Sequence, residues 1–253
     1  MGDEVINWRI IMAYSTGVPS LDKLLGKGLI IGENIVWEYE TGTFVNEFIQ
    51  NFIRHGILSK NQVIYFEFIY PPQALLYFLK PLIENLPKNW EDRFLVLDCF
   101  SESVGRNELI FTDFYDTAQP WMRKVPMSSD PERFHHFFGR IEREFISDGT
   151  HLIFHSLTAM EAIWGQENTR SLFAHICPAL YAYKTLAYWS VNRHAHPREF
   201  LAAIEHTTQV VIELSKQEND LNLQIKKAGG RYNTESYEPH RYSVNGLEIT
   251  INV

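Results

Sequence analysis

An α/β fold on a mainly parallel twisted sheet is what this sequence predicts, and three observations carry the prediction. Short apolar runs such as "RFLVLDCF" (93–100) and "HLIFH" (151–155) are continuous rather than alternating, as in strands covered on both faces. Helical patterns separate them along most of the chain. The last third changes to paired strands joined by polar turns.

Taken in order, strands are expected at Asn34–Glu40, Gln62–Phe68, Arg93–Phe100, Thr150–His155, Thr185–Val191 and Thr207–Ser215. Helices are expected at Phe44–Leu58, Pro72–Leu86, Asp130–Ser147 and Thr169–Lys184. Asp130-Pro131 is a start signal, an acidic cap followed by proline in the first turn. Strand–helix alternation with right-handed crossovers gives parallel strands. "QVVIELSKQENDLNLQIKKAGG" then reads as two strands about "KQEND", and "RYSVNGLEITINV" as a hairpin about Asn245-Gly246. Residues 101–129 are the least regular stretch and are read as a long excursion.

With 45% hydrophobic and 14% aromatic residues, the 253-residue chain can fill a large core. Its formal charge of -8 disfavours a general polyanion binder, which needs a basic face. Cys99 and Cys177 lie in apolar segments without metal or redox spacing, and are read as buried thiols. No stretch approaches the ~20 apolar residues of a membrane span, and "MGDEVINWR" has no apolar signal core. The expectation is a soluble, cytoplasmic protein without membrane contact.

One stretch raises a chemical question. "WEYETGTFVNEF" (37–48) joins an apolar strand to an amphipathic helix through a glycine turn, and such a turn collects free amides at the positive end of the helix dipole. That is an anion cradle, yet it carries Glu40 and no lysine.

The head of the chain, "STGVPSLDKLLGKGLIIGENIVWE", resembles the opening phrase of the KaiC-like and RadA-like branch of RecA-fold ATPases. The matching residues are Ser15, Thr16, Gly17, Leu21, Asp22, Leu24, Leu25, Gly26, Gly28 and Gly32, with Lys27 where the family has glycine. "LNLQIKKAGGRYN" and "HRYSVNGLEI" resemble the family's closing strands, so the resemblance spans nearly the whole chain. It implies one RecA-like P-loop NTPase domain over residues 1–253, with antiparallel C-terminal strands.

The family's phosphate loop, G-x-x-x-x-G-K-T/S, falls on Tyr39, Glu40, Thr41, Gly42, Thr43, Phe44, Val45 and Asn46. Its glycines become Tyr39 and Phe44, its lysine Val45 and its magnesium-binding hydroxyl Asn46. The acidic pair after the next strand falls on Ile69 and Tyr70, with Glu67 two residues early. The metal-supporting aspartate falls on His155 in "LIFHSLTAM", and histidine suits magnesium poorly. Of the K-x-R pair that serves a neighbouring subunit, Lys227 remains, Gly229 takes the arginine place and Arg231 lies two residues on. The resemblance therefore implies a pseudo-ATPase with no cofactor. Tyr39 and Phe44 are expected to fill the phosphate space, and Lys227 and Arg231 to face a partner.

Other residues have plainer readings. His135-His136 point to different helix faces, and no set formed with His155, His194 or His196 fixes a metal site. Arg193, His194, His196 and Arg198 lie where recombinases carry DNA-contacting loops, but a solvated charged loop is expected. Phe200–Ala203 matches an F-x-x-A docking pattern and is read as core packing. Trp121-Met122 and Phe111–Tyr115 could equally cover the core or anchor an interface. Ser156, His155 and Asp98 do not form a nucleophilic triad, since adjacent strand residues face opposite ways.

The leading functional reading is a non-catalytic RecA-fold regulatory or accessory subunit. It would bind a protein or peptide, as a homo-oligomer or with a RecA-fold relative. The alternatives are an atypical ATPase using Lys227 and His155, and an accessory DNA-recombination protein that contacts DNA only within a hetero-oligomer.

Overall fold

The computed structural model describes residues 13–103, 120–229 and 237–252. Arg231 and Phe111–Tyr115 lie outside the described residues.

The chain begins with β1 (Ala13–Tyr14), α1 (Pro19–Leu24) and β2 (Leu29–Ile30), then enters the main sheet at β3 (Asn34–Tyr39). α2 (Val45–Leu58), β4 (Val63–Glu67), α3 (Pro72–Ile83), β5 (Phe94–Asp98) and β6 (Met122–Lys124) follow. Next come α4 (Pro131–Phe145), β7 (His151–His155), α5 (Leu157–Trp164), α6 (Gln166–Ala182), β8 (Leu186–Asn192) and α7 (Arg198–Thr207). β9 (Val210–Gln217), β10 (Asp220–Ala228), β11 (His240–Asn245) and β12 (Glu248–Ile251) close the chain.

The main sheet has ten strands in the order β12-β11-β10-β9-β3-β8-β7-β4-β5-β6. Pairings from β9 through β3, β8, β7, β4 and β5 to β6 are parallel. β10, β11 and β12 join antiparallel, as the turn residues in their sequence require.

Alternation along the strands sends side chains to two separate cores. Ile35 and Trp37 face α1, α2 and α3, where Phe52 stacks on Tyr188 at 3.8 Å between ring centroids. Val36 faces α4 to α7, where Trp189 stacks on Phe154 at 3.7 Å. Both layers are aromatic, so truncating one of these rings would cost about 3–5 kcal/mol.

Local signals explain the helix starts. Asp130 caps α4 by accepting the Glu132 and Arg133 amides at 3.0 and 3.1 Å, with Pro131 in the first turn. Ser156 caps α5 by accepting the Ala159 amide. The opening phrase folds around one carboxylate: Asp22 accepts the Thr16 amide and hydroxyl, each at 2.7 Å, and the Ser15 hydroxyl. Gly17 has φ +85°, and a Cβ there would lie 2.3 Å from the Asn51 carbonyl oxygen, so only glycine lets this turn press against α2.

Candidate functional site

In open α/β sheets ligands meet the carboxyl ends of the strands, and four adjacent strand ends here build one cleft. β3 contributes Tyr39 and the loop from Glu40 to Phe44, and the start of α2 contributes Val45, Asn46 and Glu47. β8 ends in Asn192, β7 in His155, and β4 leads to Ile69 and Tyr70. The cleft encloses about 380 Å³. All the loop positions singled out in the sequence come together, with Tyr70 and His155.

Gly42, at φ +86°, reverses the chain, and Thr43 hydroxyl donates to the Glu40 carbonyl at 2.7 Å, closing the turn. Phe44 stands at the α2 N-cap in the left-handed region (φ 58°, ψ 35°) and supplies no side-chain cap. Its ring is 46% exposed, so Phe44 rims the cleft instead of filling the phosphate space. Tyr39 is half-buried and packs on the core beside Tyr70. Burial, and then the neighbouring Tyr70, push its hydroxyl above the usual tyrosine value. The expected plug is therefore a lining, because the turn fixes Phe44 with its side chain outward.

Glu40 does not leave a bare charge in the cradle. Its carboxylate accepts the Lys216 amide at 2.9 Å, lies 3.1 Å from the His194 ring and 3.7 Å from Arg193. Burial pushes the carboxyl up, but the Lys216 amide, His194 and Arg193 outweigh it and hold the carboxyl below its usual value.

His155 is 2% exposed and belongs to a buried clamp. Its Nδ1 lies 2.7 Å from the Tyr65 hydroxyl and 3.2 Å from Glu67 Oε2. Burial, and then the Glu67 charge, push the Tyr65 hydroxyl well above its usual value, which keeps it protonated as a donor. Glu67 Oε1 accepts the Tyr70 amide at 2.9 Å and the Ile69 amide as well. The acid two residues early thus shapes the turn that carries Tyr70. Glu67 stands directly opposite His155 in the β4–β7 ladder, which brings the two side chains together. Asp98 closes the next turn in the same way, accepting the Phe100 and Ser101 amides. With Ser156 capping α5, neither residue is placed for a nucleophilic triad.

Lys227 differs from the expectation that it faces a partner. Its ammonium donates to the Glu205 and His206 carbonyls at 2.8 and 3.2 Å, at the C-terminal end of α7. The cause is the helix terminus, where unpaired carbonyls and the dipole attract a cation.

Beside it, Lys226 bridges Glu38 and Glu205, each at 2.7 Å, with Glu213 at 3.9 Å. Glu38 is 1% exposed, and burial raises its pKa to about 7 against the opposing pull of Lys226. The folded state then holds a proton that the unfolded chain has released between the usual glutamate value and pH 7. This contribution to stability is present at low pH and falls as pH rises through that window. Glu38→Gln should therefore stabilise the protein more at pH 8 than at pH 5, by roughly 1–3 kcal/mol in the difference. Urea melts of both proteins at the two pH values check this, and an equal effect at both would contradict it.

The remaining candidates sit apart. His194 is on Glu40, while His196 lies 2.9 Å from the Thr158 hydroxyl, and neither meets His155. His135 lies 6.3 Å from His175 between ring centroids. Among the described residues no group of three or more His, Cys, Asp or Glu is arranged to hold a metal ion. Phe200 is fully buried in the second core, as its core reading expects. Trp121 and Met122 are buried too, so they cover the core. Cys99 and Cys177 are free and buried. No helix of the described residues is long and apolar enough to cross a membrane.

This architecture is the KaiC-like RecA fold. A KaiC-like protein from the hyperthermophilic archaeon Pyrococcus horikoshii superposes with a TM-score of 0.67 at 12% identity, covering 96% of this chain and all of that one. The family model described as PAXNEB protein matches residues 11–91, the stretch that holds the opening phrase, the glycine turn, β4 and α3. Elongator complex protein 4 of Xenopus laevis is 29% identical over 129 residues, which cover 50% of this chain. This chain spans 31% of that relative's length.

Proposed function

We propose that this protein is a non-catalytic accessory subunit of a multi-protein assembly, built on a single RecA-like domain. Its strand-end cleft does not handle Mg-ATP. The observation that carries the reading is the chemistry of the cleft's donor set. Where the fold's nucleotide enzymes need a lysine and a hydroxyl, Val45 and Asn46 stand. The cleft is lined by Tyr39, Phe44, Tyr70 and two glutamates, with no Lys or Arg among its lining residues. His155, at the metal-supporting position, is sealed against Tyr65 and Glu67. These groups do not fit a magnesium–triphosphate, which needs cations and oxygen ligands converging on it.

The likeness to Elongator complex protein 4, by its name a protein of a complex, and to the PAXNEB model supports the partner side of the reading. It favours hetero-oligomeric protein partners over a nucleotide-dependent ATPase or a stand-alone DNA binder. A cytoplasmic setting belongs to the same proposal.

Thermal melting tests the nucleotide side, because a ligand raises stability according to its concentration over its Kd. Millimolar Mg-ATP should leave the melting temperature unchanged. A rise of several degrees that disappears on adding EDTA would overturn the reading.

A further inference from the structure

The side chains lining the same cleft have a polarity opposite to that of a phosphate site, although the α2 N-terminus still presents its amides there. Glu40 already meets Arg193 and His194. Glu47, in the first turn of α2, has no ionic partner among the described residues, and burial raises its carboxyl above the usual value despite its own amide. Asn46 Oδ1 is a buried oxygen without a hydrogen-bond partner. Three aromatic side chains, Tyr39, Phe44 and Tyr70, share the lining with these acceptors. Tyr70 is backed by Phe78 at 5.8 Å between ring centroids, which fixes one wall.

An aromatic cleft with a spare carboxylate and no Lys or Arg in its lining is complementary to a cation. A guanidinium or ammonium gains from the ring faces and from the carboxylate together. We propose that the strand-end cleft receives a Lys or Arg side chain from a basic segment of a partner protein. This inference rests on the reading of the protein as a non-catalytic interaction subunit. Arginine is the better fit of the two, because its planar fork stacks on rings and donates in two directions at once. The turn at Gly42 then serves as a rigid rim for a guest of opposite charge to phosphate.

Amide NMR of the intact chain tests this with three short peptides: acetyl-Ala-Arg-Ala-amide, its citrulline isostere and its glutamate counterpart. The arginine peptide should shift the amides of Thr41–Glu47 and Tyr70 in a saturable way. Citrulline, which keeps the shape and loses the charge, should bind at least about 5-fold more weakly. Glutamate should give no saturable shift. Glu47→Gln, nearly isosteric, should weaken the arginine peptide by a similar factor while leaving its melting temperature close to that of the parent. Equal binding of arginine and citrulline, or no saturable shift at these amides, overturns the proposal without needing the variant to fold. A parallel titration with Mg-ATP separates the two readings. Saturable shifts of the same amides by Mg-ATP would sink the non-catalytic reading whatever the peptides do. Silence with both ligands removes the cation site alone.

Discussion

Glu67→Ala should destabilise the fold by roughly 3–5 kcal/mol, the range seen when one member of a buried charged network is removed. Glu67 is fully buried at the end of β4. Its two oxygens serve the Ile69 amide, the Tyr70 amide and the His155 ring, which also touches Tyr65. Removing the carboxylate leaves both amides without their acceptor and the ring without its neighbour, and each orphaned group adds about 1–3 kcal/mol of desolvation cost. Glu67→Gln keeps one acceptor oxygen for the amides and puts an NH2 donor in place of the oxygen that faces His155, so its cost should be smaller, roughly 1–2 kcal/mol. Urea unfolding at pH 7 measures both. A loss below about 1 kcal/mol in the alanine variant would mean that the clamp is not what holds the β4–α3 turn.

The second large effect is expected at Asp22. Three donors converge on its carboxylate, two from Thr16 and one from Ser15, and its backbone carbonyl accepts the Lys27 and Gly28 amides. Asp22→Ala strips the side-chain hub while the chain still has to make the Gly17 turn against α2. Hydrogen bonds to a charged group contribute about 1.5–3 kcal/mol each in favourable cases, but these are partly exposed and share one carboxylate. A total loss of roughly 2–4 kcal/mol is expected. Hydrogen exchange adds a spatial check, since the amides of Thr16 to Val18 should lose protection first. A variant as stable as the parent would show that the Ser-Thr-Gly phrase is held by packing alone.

These two residues also show what could be read from the sequence. The opening phrase and the closing strands gave the fold by resemblance, and the continuous apolar runs placed β3, β4, β5, β7 and β8 within a residue or two. The short elements escaped: β1, β2 and β6 have two or three residues, too few for any period to register. α5 was missed because "LTAMEAIW" follows β7 directly and is nearly all apolar, so it shows no clear amphipathic face.

The candidate site was legible as a set of positions, but not as an arrangement. The cleft residues could be named because they share the register of one loop and two strand ends. Three placements depended on long-range pairings that no local window carries. Glu40 turns towards Arg193, His194 and Lys216, Glu67 faces His155 across the β4–β7 ladder, and Lys227 folds back on the end of α7. Glu47 and Asn192, which also line the cleft, lie outside the eight-residue loop register and were overlooked for that reason.

The proposed function is that this chain holds a protein partner and does not turn over nucleotide. Affinity capture of the tagged protein from its source cells, followed by light scattering of the eluted material with and without Mg-ATP, tests it most directly. A stoichiometric assembly with at least one other polypeptide, of the same mass in both conditions, is expected. A strict monomer that retains no partner in either condition, or an assembly that forms only with Mg-ATP, would contradict it.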